Sequence, residues 1–265
     1  MIDTHVHLTW RTFDGQVAEV VRRANEAGVR AIIDLGTDVK TSKQCREHAH
    51  QFDSVWFGAG IHPNDAGSAR AGDLELVMAL CTDDRCVAVA EIGLDFYRDH
   101  TDPKVQERWF AEQLQLAKDL DKPVVIHDRE ASARLLEVLD DVGYDGIDGP
   151  GGVFHCYAGD EAMTKQVLDR GFHISFTGNI TYKKSDRPEI AKLVPLDRLM
   201  IETDSPFMAP VPRRGKTNEP GYVGYVAGAL AKAHGVSLDK VIFETTKTAV
   251  KLFRLPETLL EGLEA

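Results

Sequence analysis

Cysteine is scarce in this sequence: four residues in 265, Cys45, Cys81, Cys86 and Cys156, with no C-x-x-C pair among them. A chain of this length builds a core without crosslinks, so the thiols read as reduced and a disulfide-stapled scaffold is excluded. Long apolar runs are missing as well, none approaching the ~18 residues of a membrane span. The polar, histidine-bearing stretch Met1 to Leu8 stands where a secretory leader would need a basic and then an apolar segment, and the expected compartment is the cytoplasm. Basic residues are in deficit. Lys plus Arg number 31 against 42 Asp plus Glu, a formal charge of −11, so there is no general nucleic-acid coat and a polyanion needs a local positive site or a bound cation. Several common catalytic motifs are absent: no G-x-x-x-x-G-K-[ST] loop, no G-x-S-x-G elbow, and Gly58-Ala59-Gly60 lacks the next glycine of a dinucleotide fingerprint. With no repeat, low-complexity tract or Pro/Gly/Ser linker, residues 1–265 read as one domain with 255–265 as a short C-terminal tail.

Hydrophobic residues make up 43% of the chain and charged residues 28%, as in globular enzymes. Short apolar runs alternate with segments of helical period. The runs are Met1 to His5, Ala31 to Leu35, Val55 to Gly60, Val87 to Glu91, Val124 to His127, Val153 to His155, His173 to Phe176 and Leu199 to Glu202. They lie roughly 20 to 35 residues apart, the length of one strand plus one crossover helix. Helical segments are expected from Asp14 to Gly28, Pro103 to Leu120, Arg129 to Gly143, Gly221 to His234 and Leu238 to Leu252. The count favours an α/β fold closed as a (β/α)8 TIM barrel over an open doubly wound sheet.

Residues able to bind metals recur where these runs end, the usual active-site face of a barrel. In Asp3-Thr4-His5-Val6-His7 the two-residue spacing aims both imidazoles to one side of a strand. Such an H-x-H alone is a weak signal. Glu91, His127, His155 and Asp204 close four further runs, and an apolar strand ending in a carboxylate needs a partner for that charge. Four imidazoles and two carboxylates can serve two divalent ions, with Glu91 bridging them and Asp204 acting as general base. A cluster made positive by its ions suits a phosphate ester. Arg129, Lys183, Arg214 and Lys216 are candidate substrate contacts, as is His62 in His62-Pro63, while Lys184 and Arg213 read as solvated surface. Glu202 is assigned to orienting a ligand, and His48, His50, His100 and His234 to the surface. Asp95 and Tyr97 either line the pocket or pack their loop. Cys156, one residue out of strand phase with His155, reads as packing.

The whole chain resembles the TatD family of metal-dependent deoxyribonucleases, amidohydrolase-like barrel enzymes. The resemblance rests on D-T-H-V-H-L at the start, G-I-H-P from Gly60, E-I-G-L-D-F-Y from Glu91, H-D-R-E-A from His127, F-H-C-Y-A-G from Phe154, E-T-D-S-P-F from Glu202 and R-G-K-T-N-E-P from Arg214. Phe96 and Tyr182 stand where the family often has Tyr and Phe. The resemblance implies a barrel with His5, His7, Glu91, His127, His155 and Asp204 as ligands of two ions, Mg²⁺, Mn²⁺ or Zn²⁺. It also implies action on DNA, often as a 3′ to 5′ exonuclease. With so acidic a surface, single-stranded or frayed ends are the expected substrate, and no membrane or obligate protein partner is expected. The alternatives are a metal-dependent amide or ester hydrolase, since the same ions activate water against a carbonyl, and a metal-binding scaffold without catalysis.

Overall fold

The computed structural model describes residues 1–264; the last residue of the tail, Ala265, lies outside the description. Eight strands form one parallel sheet in sequential order: β1 (Ile2–Val6), β2 (Ala31–Leu35), β3 (Val55–Ala59), β4 (Cys86–Asp95), β5 (Val124–Arg129), β6 (Gly152–Phe154), β7 (His173–Phe176) and β8 (Leu199–Ile201). The sheet curls until its first and last strands meet through a parallel bridge between Val6 and Ser205. Two backbone bonds flank the bridge, His7 N–H to Ser205 O at 2.9 Å and Asp204 N–H to His5 O at 3.0 Å. The expected (β/α)8 TIM barrel is present.

Helices α1 (Val17–Glu26), α2 (Val39–Gln51), α3 (Asp73–Cys81), α4 (Pro103–Asp119), α5 (Ser132–Val142), α6 (Glu161–Asp169), α7 (Arg187–Ala191), α8 (Val223–His234) and α9 (Leu238–Phe253) follow the strands. Local chemistry sets their starts. Asp38 and Thr41 form a capping box at α2, and Asp102 caps α4 just ahead of Pro103 at its first position. None of the helices described is long and apolar enough to cross a membrane.

The strands are buried on both faces, which explains their nearly continuous apolar runs. Alternate residues divide between two cores. Ile32, Phe57, Val89, Ile126 and Phe154 pack outward under the helices, whereas Ile2, Ile33, Ala88, Val125, Val153 and Met200 fill the inside together with Ala249, Val250 and Phe253 of α9. Helix α9 therefore closes the floor, and the carboxyl ends of the strands are left as the open mouth. The tail is fastened too: Arg30 donates to the Leu259 carbonyl at 3.0 Å, and Leu259 and Leu260 pack against the floor.

Strict alternation from Ile2 would turn His5 and His7 away from the mouth. The register slips instead: the step from Asp3 to Val6 on β1 faces the shorter step from Ile32 to Asp34 on β2, so the later residues change sides. A second slip, Val89 to Ile92 against Val124 to Ile126, brings Glu91 inward after Ala88 and Ala90. Bulges of this kind re-aim side chains beside functional sites.

Candidate metal centre

All six residues selected at the strand ends gather around Glu91 at the mouth. Nε2 of His5 lies 3.1 Å from Nε2 of His7. Glu91 Oε2 stands 3.4 Å from the first and 3.5 Å from the second. Asp204 Oδ1 completes the group at 3.8 and 3.6 Å from the same nitrogens. The other carboxylate oxygen of Glu91 faces a different set: His155 Nε2 at 2.8 Å and His127 Nδ1 at 3.0 Å, these nitrogens being 3.4 Å apart. Glu91 thus joins two donor clusters, one through each oxygen.

The spacing fits metal ions. Four donors about 2.1 Å from a tetrahedral cation lie about 3.4 Å from one another, and the first cluster spans 3.1 to 3.8 Å. Tautomers agree with that use. His7 donates Nδ1–H to the Leu35 carbonyl at 3.0 Å, and His127 donates Nε2–H to Asp95 at 3.1 Å, leaving the inward nitrogen of each ring with a free lone pair. His155 Nδ1 faces Glu202 at 3.5 Å, and Glu202 also accepts the Cys156 N–H at 2.6 Å. Asp95 is hydrogen-bonded to the outer nitrogen of His127, and Glu202 is the carboxylate facing that of His155.

Charge inside the cluster is unbalanced without cations. Burial pushes the Glu91 carboxyl up, but the facing imidazoles of His155, His62 and His5 overcome this and hold it well below the usual range. Burial disfavours a charged His155, yet Glu91 and Glu202 hold its pKa well above normal. Burial, helped by His155, brings His5 down to about 4, and burial raises Asp204 to about 7 against the pull of His7 and His155. Divalent ions bound among these donors would offset the charge of the Glu91 and Asp204 carboxylates.

His62 joins the edge of this group, with Nε2 3.5 Å from Glu91 Oε1. Its Nδ1 accepts the Asn64 N–H at 3.1 Å, which assigns the ring proton to Nε2 and makes His62 a donor aimed into the mouth. His62, Glu91 and His127 also lie close enough together to hold a metal ion. Asp204 holds its position with a left-handed backbone at φ 53°, just after Thr203, whose hydroxyl and amide are both bound by Asp3 at 2.6 and 2.9 Å. At β4, Gly93 has φ +144° and a Cβ there would sit 2.0 Å from the His127 carbonyl oxygen, so only glycine lets β4 approach β5 at this level.

The basic residues separate. Lys183, Lys184 and Arg214 line one open pocket of about 460 Å³ with Tyr182 and Ser185, the guanidinium of Arg214 lying 4.2 Å from the Tyr182 ring centre. Lys184 is exposed, as its reading from sequence expects, and also lines this open pocket. Arg129 is half-buried and stacks at 3.9 Å on Tyr97. Lys216 is exposed in the loop after Arg213 and does not line the pocket. Cys156 has its thiol 3.7 Å from the Thr177 hydroxyl.

Sequence reasoning left two residues unassigned or misassigned. Asp95 is the partner of His127, and its place in the same strand phase as Glu91 and Gly93 after the slip was the available signal. His48, taken as a surface residue, is partly buried and pairs at 2.7 Å with fully buried Asp34, which in turn accepts the Leu8 N–H at 2.8 Å and steadies the segment after His7.

An eight-stranded barrel with histidines and carboxylates gathered at its carboxyl mouth defines the architecture of a metal-dependent barrel hydrolase. The family described as TatD related DNase matches residues 2–254, and the chain belongs to that family. It is 35% identical over 256 residues to a Bacillus subtilis protein named uncharacterized metal-dependent hydrolase YabD, covering 96% of this chain and 99% of the relative. It is also 35% identical over 259 residues to the 3′-5′ ssDNA/RNA exonuclease TatD of Citrobacter rodentium, covering 96% and 97%. The crystal structure of YJJV, a TatD homologue from Escherichia coli, superposes with a TM-score of 0.89 at 28% identity over 97% of this chain and 98% of that one.

Proposed function

We propose that this protein hydrolyses phosphodiester bonds at single-stranded or frayed nucleic-acid ends, DNA foremost, as a 3′ to 5′ exonuclease. The observation that carries the reading is the division of Glu91 between two donor clusters, His5, His7 and Asp204 on one side and His127 and His155 on the other. These residues would hold two divalent ions of the Mg²⁺, Mn²⁺ or Zn²⁺ type. Bound there, the ions supply Lewis acidity for water and for the phosphoryl group.

The chain's own groups do the rest. Asp204, whose Oδ1 stands beside His5 and His7 at the mouth, takes the proton of the attacking water as general base. His62 donates its Nε2–H to a phosphoryl oxygen. Arg129, Lys183, Lys184 and Arg214 meet the phosphates of the strand around the mouth, with Lys216 farther out in its loop, local positive sites on a chain of net charge −11. Asp95 and Glu202 keep His127 and His155 turned correctly. Three of the four unpaired cysteines are buried, which suits the reducing cytoplasm.

An end-labelled single-stranded DNA, followed in time with and without chelator, tests this reading. A ladder shortening from the 3′ end, abolished by chelator, is expected. Metal-replete protein that leaves the strand intact while cleaving a carboxyl ester would overturn it in favour of amide or ester hydrolysis.

A further inference from the structure

Two large aromatic side chains stand in solvent at the edge of the metal centre. Trp10 is 43% exposed and Phe207 40% exposed, and their rings meet edge to face with centroids 5.0 Å apart. Phe207 also lies 6.4 Å from the ring of His7. Each aromatic is tied back to a residue of the centre by one turn: Trp10 donates its N–H to the His7 carbonyl at 3.1 Å, and Phe207 donates to the Asp204 carbonyl at 2.8 Å. The Phe207 side is rigid. Buried Asn218 donates to the carbonyls of Thr203 and Phe207 at 2.8 and 2.6 Å. Neither ring is needed to fill a core, and exposing both costs hydrophobic free energy that a ligand would recover.

We infer that Trp10 and Phe207 form a stacking platform for an unpaired nucleobase of the strand whose phosphate enters the centre. The inference rests on the nucleic-acid reading above and specifies how the strand is recognised. Phosphates have separate partners at the mouth, since Lys183, Lys184 and Arg214 share a pocket after β7 and β8 while Trp10 and Phe207 follow β1 and β8. A cationic groove beside exposed aromatic faces is the usual design for holding single strands without strong sequence preference. A paired base has both faces covered by its neighbours, so a platform of this kind admits a single strand and disfavours an intact duplex. Across the ring, at the ends of β4 and β5, Tyr97 has the Arg129 guanidinium 3.9 Å from its ring centre and is otherwise open at 58% exposure, whereas Trp10 and Phe207 form an aromatic pair with no cation on it among the described residues.

Tryptophan fluorescence reads the platform directly. Of the three tryptophans, Trp56 and Trp109 are only 8% and 6% exposed, so quenching by a stacked base reports Trp10. In metal-free protein kept in chelator, oligo(dT) is expected to quench this emission and an abasic oligonucleotide of equal length is not. Phe207→Ala is expected to weaken oligo(dT) binding, and Trp10→Ala to raise KM for a single-stranded substrate, each about tenfold, with Trp10→Phe restoring KM. Absence of quenching, equal quenching by the abasic strand, or an unchanged KM in Trp10→Ala would overturn the inference. The two readings fail separately: a strand that quenches but is never cleaved removes the phosphodiesterase assignment, whereas a strand cleaved without regard to its bases removes the platform.

Discussion

Asp95 accepts the Nε2–H of His127 at 3.1 Å, and this bond decides that Nδ1 is the nitrogen turned toward Glu91. The Asp95 carboxyl is held below its normal range because, although burial opposes it, His127, Arg98 and Asn64 all donate to it. Removing such an outer carboxylate typically weakens metal affinity by about 10- to 100-fold. Asp95→Ala is therefore expected to bind divalent metal that much more weakly in a direct titration, with activity returning at high metal concentration. Unaltered affinity would show that the ring is oriented by its other contacts.

The donors at the centre should separate turnover from folding. Asp204→Asn and His155→Ala are expected to lower turnover by at least about a hundredfold, with circular dichroism and thermal midpoint close to those of the parent. Glu91→Gln should be as severe, because it weakens both clusters together. Near-normal cleavage by metal-replete Asp204→Asn would reject its assignment as base.

Gly93→Ala tests the close approach of β4 to β5. Its Cβ would lie 2.0 Å from the His127 carbonyl oxygen at a φ of +144°. Destabilisation of more than about 1 kcal/mol is expected in denaturant unfolding, since alanine cannot adopt this backbone without strain. Activity should fall further than stability, because the oxygen that must move belongs to His127.

His173, at the start of β7 and away from the mouth, gives a pH signature. Burial, and then the nearby Arg198, lower its pKa from 6.5 to about 4. The folded protein binds this proton less readily than the unfolded chain, so the stabilisation is complete above about 6.5 and is lost as pH falls toward 4. His173→Gln removes that dependence. Between pH 7 and pH 4 the parent is expected to lose on the order of 2 kcal/mol more than the variant, measured by denaturant midpoints at the two pH values.

Much of this arrangement is legible in the chain itself. Ala31–Leu35 and His173–Phe176 are strands with the boundaries their apolar runs suggest, and Pro103 marks the first residue of α4. Strands β4 and β5 run past the expected ends at Glu91 and His127, because the polar residues Asp95 and Arg129 continue the ladder into the mouth where side chains need no apolar partner. The convergence of His5 with His7 is legible from spacing, but its direction is not: that depends on a register slip against β2, a relation between distant segments. The pairings of Asp95 with His127 and of His48 with Asp34 were hidden for the same reason, the partners lying 32 and 14 residues apart. The aromatic pair Trp10 and Phe207 is joined only when the ends of the barrel meet.

The backbone hydrogen bonds that shut the ring, His7 N–H to Ser205 O and Asp204 N–H to His5 O, are also the ones that set opposing ligands face to face. Warming that loosens this seam would spread the jaws of the site while the surrounding helices still stand. Inactivation should then run ahead of the loss of helical signal, and a cation clasped between the two sides would delay it.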